Sequence, residues 1–391
     1  MKQSDSFLLR KFTIEKDGNN DKQVCHYRDE NNDKQVCHYM IKSPKVSIII
    51  ANYNGGEMLV NCINSLKELN YPNFEVILID DNSSDDSLKK AIRAKSNLDI
   101  KTIENKKNLG FVGANNAALS IVSGKYVLLL NNDTVVTKNL LSVLVDKMEA
   151  NPEIGVIQPK IKMMDNPDIL DNAGAFLTRT GFLTHWGFGS KDSKEFDQEK
   201  IIFSAKGACL MTRKEITDKV GLFDGDFVSY MEESDYCFRV WLLGYKVIYF
   251  PKTHILHKVG FSYSKISPIV VNYNSFKNRI LSLYKNLETK NLFLILIPHT
   301  ISILILAFYY LLSLQFSKSG MIIRSIIWNV MNVKKTYIKR QKIQKMRLVS
   351  DNEIFKYDEA GANISRGVFI NFSKKSLESI PKIVRTIPKT K

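Results

Sequence analysis

The sequence predicts an α/β fold with a doubly wound, Rossmann-like, mostly parallel sheet, and three observations carry that prediction. Val46–Ala51, Phe74–Ile79 and Tyr126–Leu130 are apolar runs of strand length. They do not alternate with polar residues, as a strand with one wet face would, so they read as strands covered on both faces. Helical spacing of apolar residues fills the intervals, and alternating strands and helices make parallel sheets. Each run then breaks into polar side chains. Right-handed crossovers gather those breaks on one edge, where open α/β sheets bind their ligands.

Residues 1–44 read as a polar, disordered tail in which Asn19–Tyr27 recurs unchanged as Asn31–Tyr39. The pairs Cys25-His26 and Cys37-His38 are poor zinc chelators, because adjacent ligands close badly on one ion and no core surrounds them. The first strand ends in Asn52-Tyr53-Asn54-Gly55-Gly56, and Leu59, Cys62, Ile63, Leu66 and Leu69 mark the following helix. The second strand ends in Asp80-Asp81-Asn82-Ser83-Ser84-Asp85, where Ser84 or Asp85 is expected to cap the next helix. Ile100–Glu104 is a shorter third strand, and Asn108-Leu109-Gly110-Phe111 opens a helix to about Ser123.

Tyr126–Leu130 organises the rest, because it ends in Asn131-Asn132-Asp133. Asp133 offers a hard oxygen to a divalent cation, and a loosely held ion shared with a substrate phosphate suits Mg²⁺ or Mn²⁺. Taken alone, the same residues form an Asx turn equally well. Four polar strand ends on one edge favour a site. Lys138–Asn151 reads as a helix, Asn166–Lys200 as loops and short strands, and Phe203–Thr212 as a strand whose Gly207 marks a close approach. Glu232, Glu233 and Asp235 open a helix, where acids also complement the dipole. Cys237, Val240, Trp241 and Leu243 face inward there and Gly244 ends it. Lys246–Phe250 is a strand that leads to His254 and His257.

Charge is uneven. The chain carries +16, yet residues 276–391 hold 21 Lys and Arg against 6 Asp and Glu. A basic segment beside an apolar run points to anionic lipid, and no nucleic-acid motif is present. Leu292–Leu314 is uncharged for 23 residues, enough to cross a bilayer. A single crossing would export a basic tail against the positive-inside tendency. A membrane hairpin or an in-plane helix pair with both ends cytoplasmic is therefore expected. Five scattered cysteines and an N-terminus without the apolar core of a secretion signal favour a reducing compartment. The expected organisation is a tail over 1–44, a catalytic domain over 45–275, membrane-associated helices over 276–345 and a polar basic tail over 346–391.

From Val46 to Tyr263 the chain resembles the family 2 glycosyltransferases of the GT-A fold, in particular the rhamnosyltransferase-like enzymes of bacterial surface polysaccharide. The resemblance rests on six ordered motifs: Asn52-Tyr53-Asn54, Asp80–Asp85, Asn108–Phe111, Asn131–Asp133, Glu232–Asp235, and His257 before Gly260 and Ser262. It implies that Asp81 accepts from the pyrimidine of a UDP- or dTDP-linked sugar, with Tyr53 against the base. Asn52, Asn54, Asn108, Gly110, Asn131 and Asn132 complete the nucleotide-sugar site. Asp133 stands at the family's DxD motif and His257 at the histidine that completes its metal site. A His ligand suits Mn²⁺ better than Mg²⁺. The motif's first Asp is Asn131 here, one charge fewer. Glu233 matches the catalytic base, usually Asp, with Glu232 or Asp235 able to share the role.

The implied activity is inverting transfer of a hexosyl or deoxyhexosyl group from a nucleotide sugar to a lipid-linked or growing glycan, at the cytoplasmic face of the cell membrane. Two other readings compete with it: a processive polysaccharide synthase, and a catalytically inactive nucleotide- or glycan-binding subunit.

Overall fold

Val46–Asn52 (β1), Phe74–Asp80 (β2), Ile100–Glu104 (β3) and Tyr126–Leu130 (β4) are parallel neighbours in the order β3-β2-β1-β4. Between them run Gly56–Leu66 (α1), Ser87–Ala94 (α2) and Gly110–Ala118 (α3). The unalternating apolar pattern has the predicted cause. Along β1, Ile49 packs with Ile77, Val127 and Leu129 on one face. Ile48 and Ile50 pack with Val76, Leu78 and Leu128 on the other. Both faces are covered, so both parities are apolar.

In this computed structural model, residues 43–95, 97–261 and 267–357 are described, with the backbone alone of 13–16, 23–26 and 40–41. Most of the N-terminal repeat, Ser262 and residues 358–391 lie outside the described residues. The backbone of Thr13–Lys16, Gln23–His26 and Met40–Ile41 pairs as a small antiparallel sheet where a structureless tail was expected.

The sheet continues beyond β4 through Thr134–Val136 (β5), Ile154–Met163 (β6), Asn166–Asn172 (β7), Lys200–Ile201 (β8), Cys209–Arg213 (β9) and Lys246–His257 (β10). Ten strands result, with β9 inserted antiparallel between β4 and β6 and β10 parallel to β6. The strand expected at Phe203–Thr212 is thus only its second half, because the chain turns at Lys206-Gly207 before pairing. The strand expected to end at Phe250 instead runs to His257. Pro251 cannot donate to the ladder, and the register slips between Phe250 and His254. That slip carries the strand on to place His257 opposite Met163 and Thr134.

Leu140–Ala150 (α4) and Lys214–Val220 (α5) cover the sheet, and Glu232–Leu242 (α6) packs on β6 and β10. The boundary expected at 275 falls inside Pro268–Asn286 (α7). This helix is built into the sheet domain: Lys285 (side chain 1% exposed) pairs with Asp235 on α6 at 3.1 Å and with Asp224 at 2.5 Å. Thr289–Leu312 (α8), Phe316–Met331 (α9), Val333–Met346 (α10) and Asp351–Phe355 (α11) follow. α8 is long and apolar enough to cross a membrane. One stripe of it, Leu292, Ile295, His299, Ile303 and Ala307, is buried at helical spacing. His299 Nδ1 lies 2.9 Å from the carbonyl of Thr180. The opposite face is bare, with Leu294, Ile305 and Leu312 each at least 60% exposed.

Candidate active site

A cleft of about 830 Å³ opens over the C-terminal ends of β1, β2 and β4. Nine of the expected residues line it: Asn52, Tyr53, Asp81, Asn108, Gly110, Asn131, Asn132, Glu232 and Glu233. Their roles divide. Asn52 is 1% exposed, and its Nδ2 donates to Asp80 at 2.9 Å and Ser87 at 3.0 Å while its Oδ1 accepts from Asn132 at 2.8 Å. The two asparagines therefore lock the β1 and β4 ends together. Tyr53 is 47% exposed, an aromatic face held at the rim. Asn54 is not on the cleft wall. Its Oδ1 accepts from the Ser84 N–H at 2.7 Å, which clamps the β1 and β2 turns.

Asp81 receives the Leu109 N–H at 2.9 Å, the Gly110 N–H at 2.9 Å and the Asn105 amide at 2.8 Å. A carboxylate taking several such donors caps the start of α3 and keeps limited acceptor capacity for a ligand. Gly110 has φ 72°, and a Cβ there would sit 3.2 Å from Val228. Gly110→Ala is therefore expected to cost about 1–2 kcal/mol, from the left-handed backbone and the contact together. A lower urea midpoint at unchanged m-value would report it.

The wall opposite is a strained loop. Val228, Tyr230 and Met231 have φ of 63°, 67° and 71°, conformations that cost roughly 1–3 kcal/mol each and persist only when the surroundings enforce them. Asn278, fully buried on α7, enforces them. Its amide donates to the carbonyls of Phe227 at 3.0 Å, Ser229 at 2.9 Å and Tyr230 at 2.7 Å. The loop hands the chain to α6 at Glu232. Oε2 of Glu232 and of Glu233 is buried without a hydrogen-bond partner among the described residues. Burial, and then repulsion from Glu233, lifts the Glu232 carboxyl well above its ordinary range. Burial also lifts Glu233, against the pull of nearby backbone N–H groups and of Lys206. Asp235 points away from the cleft, into Arg239 at 3.0 Å, Lys285 and Asn286.

Asp133 and His257 meet beside the cleft, with Nε2 of His257 at 3.3 Å from Oδ1 of Asp133. Nδ1 of His257 lies 2.8 Å from Asp171. Burial opposes charge on the imidazole, but the two carboxylates outweigh it and raise its pKa. Among the described residues no group of three His, Cys, Asp or Glu is arranged to hold a metal. The pair Asp133 and His257 nevertheless fits a cation that draws its remaining ligands from a substrate diphosphate and water, and Asp171 sits where an outer carboxylate orients a ligating histidine.

Sequence reading missed Asp171 and Lys206. Lys206 projects into the cleft and grips Asp171 at 2.6 and 2.7 Å. Asp171 stands at the polar end of β7, in a stretch read as loops and short strands, and Lys206 belongs to no strand end. The only sequence hint was the Lys-Gly pair at the turn before β9.

The family model of glycosyl transferase family 2 matches residues 47–221. The poly-beta-1,6-N-acetyl-D-glucosamine synthase of Staphylococcus epidermidis is 25% identical over 207 residues, which cover 53% of this chain and 48% of that protein. The O-antigen biosynthesis protein RfbC of Myxococcus xanthus is 26% identical over 223 residues, 55% of this chain and 17% of that one. The chain thus spans about half the length of the synthase and less of RfbC. The crystal structure of GalNAc-T7 with UDP, GalNAc and Mn²⁺ aligns with a TM-score of 0.51 at 17% identity, over 63% of this chain and 49% of that one. Sheet order, cleft and family match agree: the chain carries a glycosyl transferase family 2 domain of GT-A fold.

Proposed function

We propose that the chain is an inverting glycosyltransferase that moves a sugar from a nucleoside-diphosphate donor to a lipid-linked or growing glycan in surface-polysaccharide synthesis. The observation that carries this reading is the separation of two acidic centres around one cleft. Asp133 and His257 stand at the β4 edge, Glu233 stands at the start of α6, and Lys206 lies in the cleft. Inverting transfer needs such a pair of centres, one for the departing diphosphate and one for the incoming hydroxyl.

Tyr53 and Asp81 hold the nucleotide base at the rim. Glu233, ionised, takes the proton of the acceptor hydroxyl as the acceptor oxygen bonds to the anomeric carbon from the far face. The anomeric C–O bond breaks and its electron pair leaves with the diphosphate, near Lys206. A cation held by Asp133 and His257 would supply charge neutralisation at that leaving group when bound. The bare apolar face of α8 and the basic C-terminal third suit in-plane docking on an anionic membrane at its cytoplasmic face. His299, bonded to Thr180 at mid-helix, favours a docked helix over a free span.

The test is donor turnover by detergent-purified protein across UDP-, dTDP- and GDP-sugars, including dTDP-rhamnose, with Mn²⁺, Mg²⁺ or EDTA. Turnover of one donor that needs metal, reduced about a hundredfold or more by Asp133→Ala, is the expected result. The match to a polysaccharide synthase gives a second reading, a processive enzyme, and product length decides it: one added sugar against a ladder. Absence of nucleotide-sugar binding would leave only the inactive-subunit reading.

A further inference from the structure

A second groove, of about 620 Å³, lies between the first two turns of α7 and one face of α9. On α9 it follows Gly320, Met321, Arg324, Ile327, Trp328 and Met331, a stripe at helical spacing. Sixteen residues of helix make it about 24 Å long. Val270 lines both this groove and the cleft described above, so the two adjoin across that side chain. The walls are apolar apart from Arg324 and the hydroxyls of Ser317 and Tyr273. This side chain is exposed and has no hydrogen-bond or ion-pair partner among the described residues. The volume falls in the range of small-ligand sites.

We propose that this groove binds the lipid chain of a lipid-phosphate-linked glycan acceptor, with Arg324 on its phosphate and the glycan end reaching Glu233 past Val270. This rests on the transferase reading above and assigns the acceptor class within it. The chemistry selects the occupant. Apolar walls with a single cation match an amphiphile bearing one anionic group. A nucleic acid would need a row of cations, and a bare glycan would need polar partners along the walls. Arg offers a planar fork that meets phosphate in bidentate fashion. The wall shared with the cleft at Val270 sets the end that must react beside the proposed base. The bare face of the adjoining α8 gives a lipid chain its route from the bilayer.

Binding of farnesyl diphosphate to the full chain in detergent micelles tests the assignment, read from the fluorescence of Trp328 and referenced to Trp328→Phe. UDP binding is followed in parallel by thermal shift. Gly320→Leu fills the groove without disturbing the fold, since a Cβ there meets nothing within 4 Å. Arg324→Glu reverses the charge of an exposed side chain. Each variant is expected to weaken farnesyl diphosphate binding by at least about tenfold and to leave UDP binding and the unfolding temperature unchanged. Farnesol and inorganic pyrophosphate are each expected to bind more weakly than farnesyl diphosphate. The proposal is overturned if pyrophosphate binds as well as farnesyl diphosphate, which would mark a free-phosphate site. It is also overturned if phosphatidylglycerol vesicles give the same Gly320→Leu-sensitive signal, which would mark a membrane contact, or if both variants bind as the wild type does. Loss of UDP binding by the wild type would instead sink the transferase reading, so the two failures are distinct.

Discussion

Glu233→Gln is expected to slow sugar transfer by about 10²–10⁴-fold, the usual worth of a general base, while UDP binding stays as in the wild type. The swap keeps the side chain's shape and removes only its capacity to take a proton. Stability separates this loss from misfolding. Burial raises the pKa of both Glu232 and Glu233, so their ionised forms cost stability above the ordinary carboxylate range. The Gln variant should therefore unfold at a higher temperature at neutral pH even as it loses turnover. Activity requires the ionised form, so kcat falls as pH drops through the raised pKa. Glu232→Gln should cost less and leave the acid limb of the profile in place, because the repulsion within the pair raises Glu232 whereas burial raises Glu233. A Glu233→Gln enzyme with full turnover would transfer the role of base to Glu232.

Asp235→Ala is expected to cost about 3–5 kcal/mol, the usual penalty for removing one partner of a buried ion pair. Lys285 and Arg239, 1% and 5% exposed, would be left facing an empty site. Asp224 still reaches Lys285 at 2.5 Å, so Lys285 keeps one partner and the larger residual penalty falls on Arg239. Urea denaturation followed by circular dichroism measures the loss, and unchanged stability would remove Asp235 from the list of structural anchors. The same cluster sets an acid limit. Burial opposes ionisation of Asp235 and Asp224, but Lys285 with Arg239 or Lys339 prevails and holds both pKa values below the ordinary range. Their contribution is complete above the unfolded-state carboxylate pKa near 4 and is lost as pH falls through the depressed folded values.

The half of the sheet built from β1 to β4 was legible because burial on both faces leaves an unambiguous mark, and because polar residues at each strand end announce the ligand edge. Asn52, Asp81 and Asn132 were placed on the cleft wall that way, and Glu233 by the acidic start of α6. The sequence signal identified positions better than roles. Asn54 and Asp235 have the same polar, strand-end or helix-start signature as their neighbours, yet one clamps two turns and the other anchors a helix. Which of these a carboxylate does depends on a cation fifty residues away in the chain, Lys285 for Asp235, and no local pattern records that. Strand β9 was half misplaced for a related reason. Its ladder begins only after a turn at Lys206-Gly207 that is fixed by the side chain of Gln158, at 2.7 Å from the Lys206 N–H. The boundary at 275 followed composition, where charge changes, whereas α7 follows packing.

Asn278 joins three carbonyls of the loop before Glu232, and it does so from a helix that by composition belongs to the basic C-terminal third. The fold therefore has no excisable cleft-bearing unit ending near 275. A shortened chain would keep the sheet, the cleft floor and both acidic centres, yet lose the brace on a loop that does not hold its shape unaided. Any tilt of α7 is transmitted to the loop before Glu232 by the Asn278 amide and to α6 by the Lys285–Asp235 pair. The placement of α7 and the shape of the cleft wall thus share one mechanical linkage.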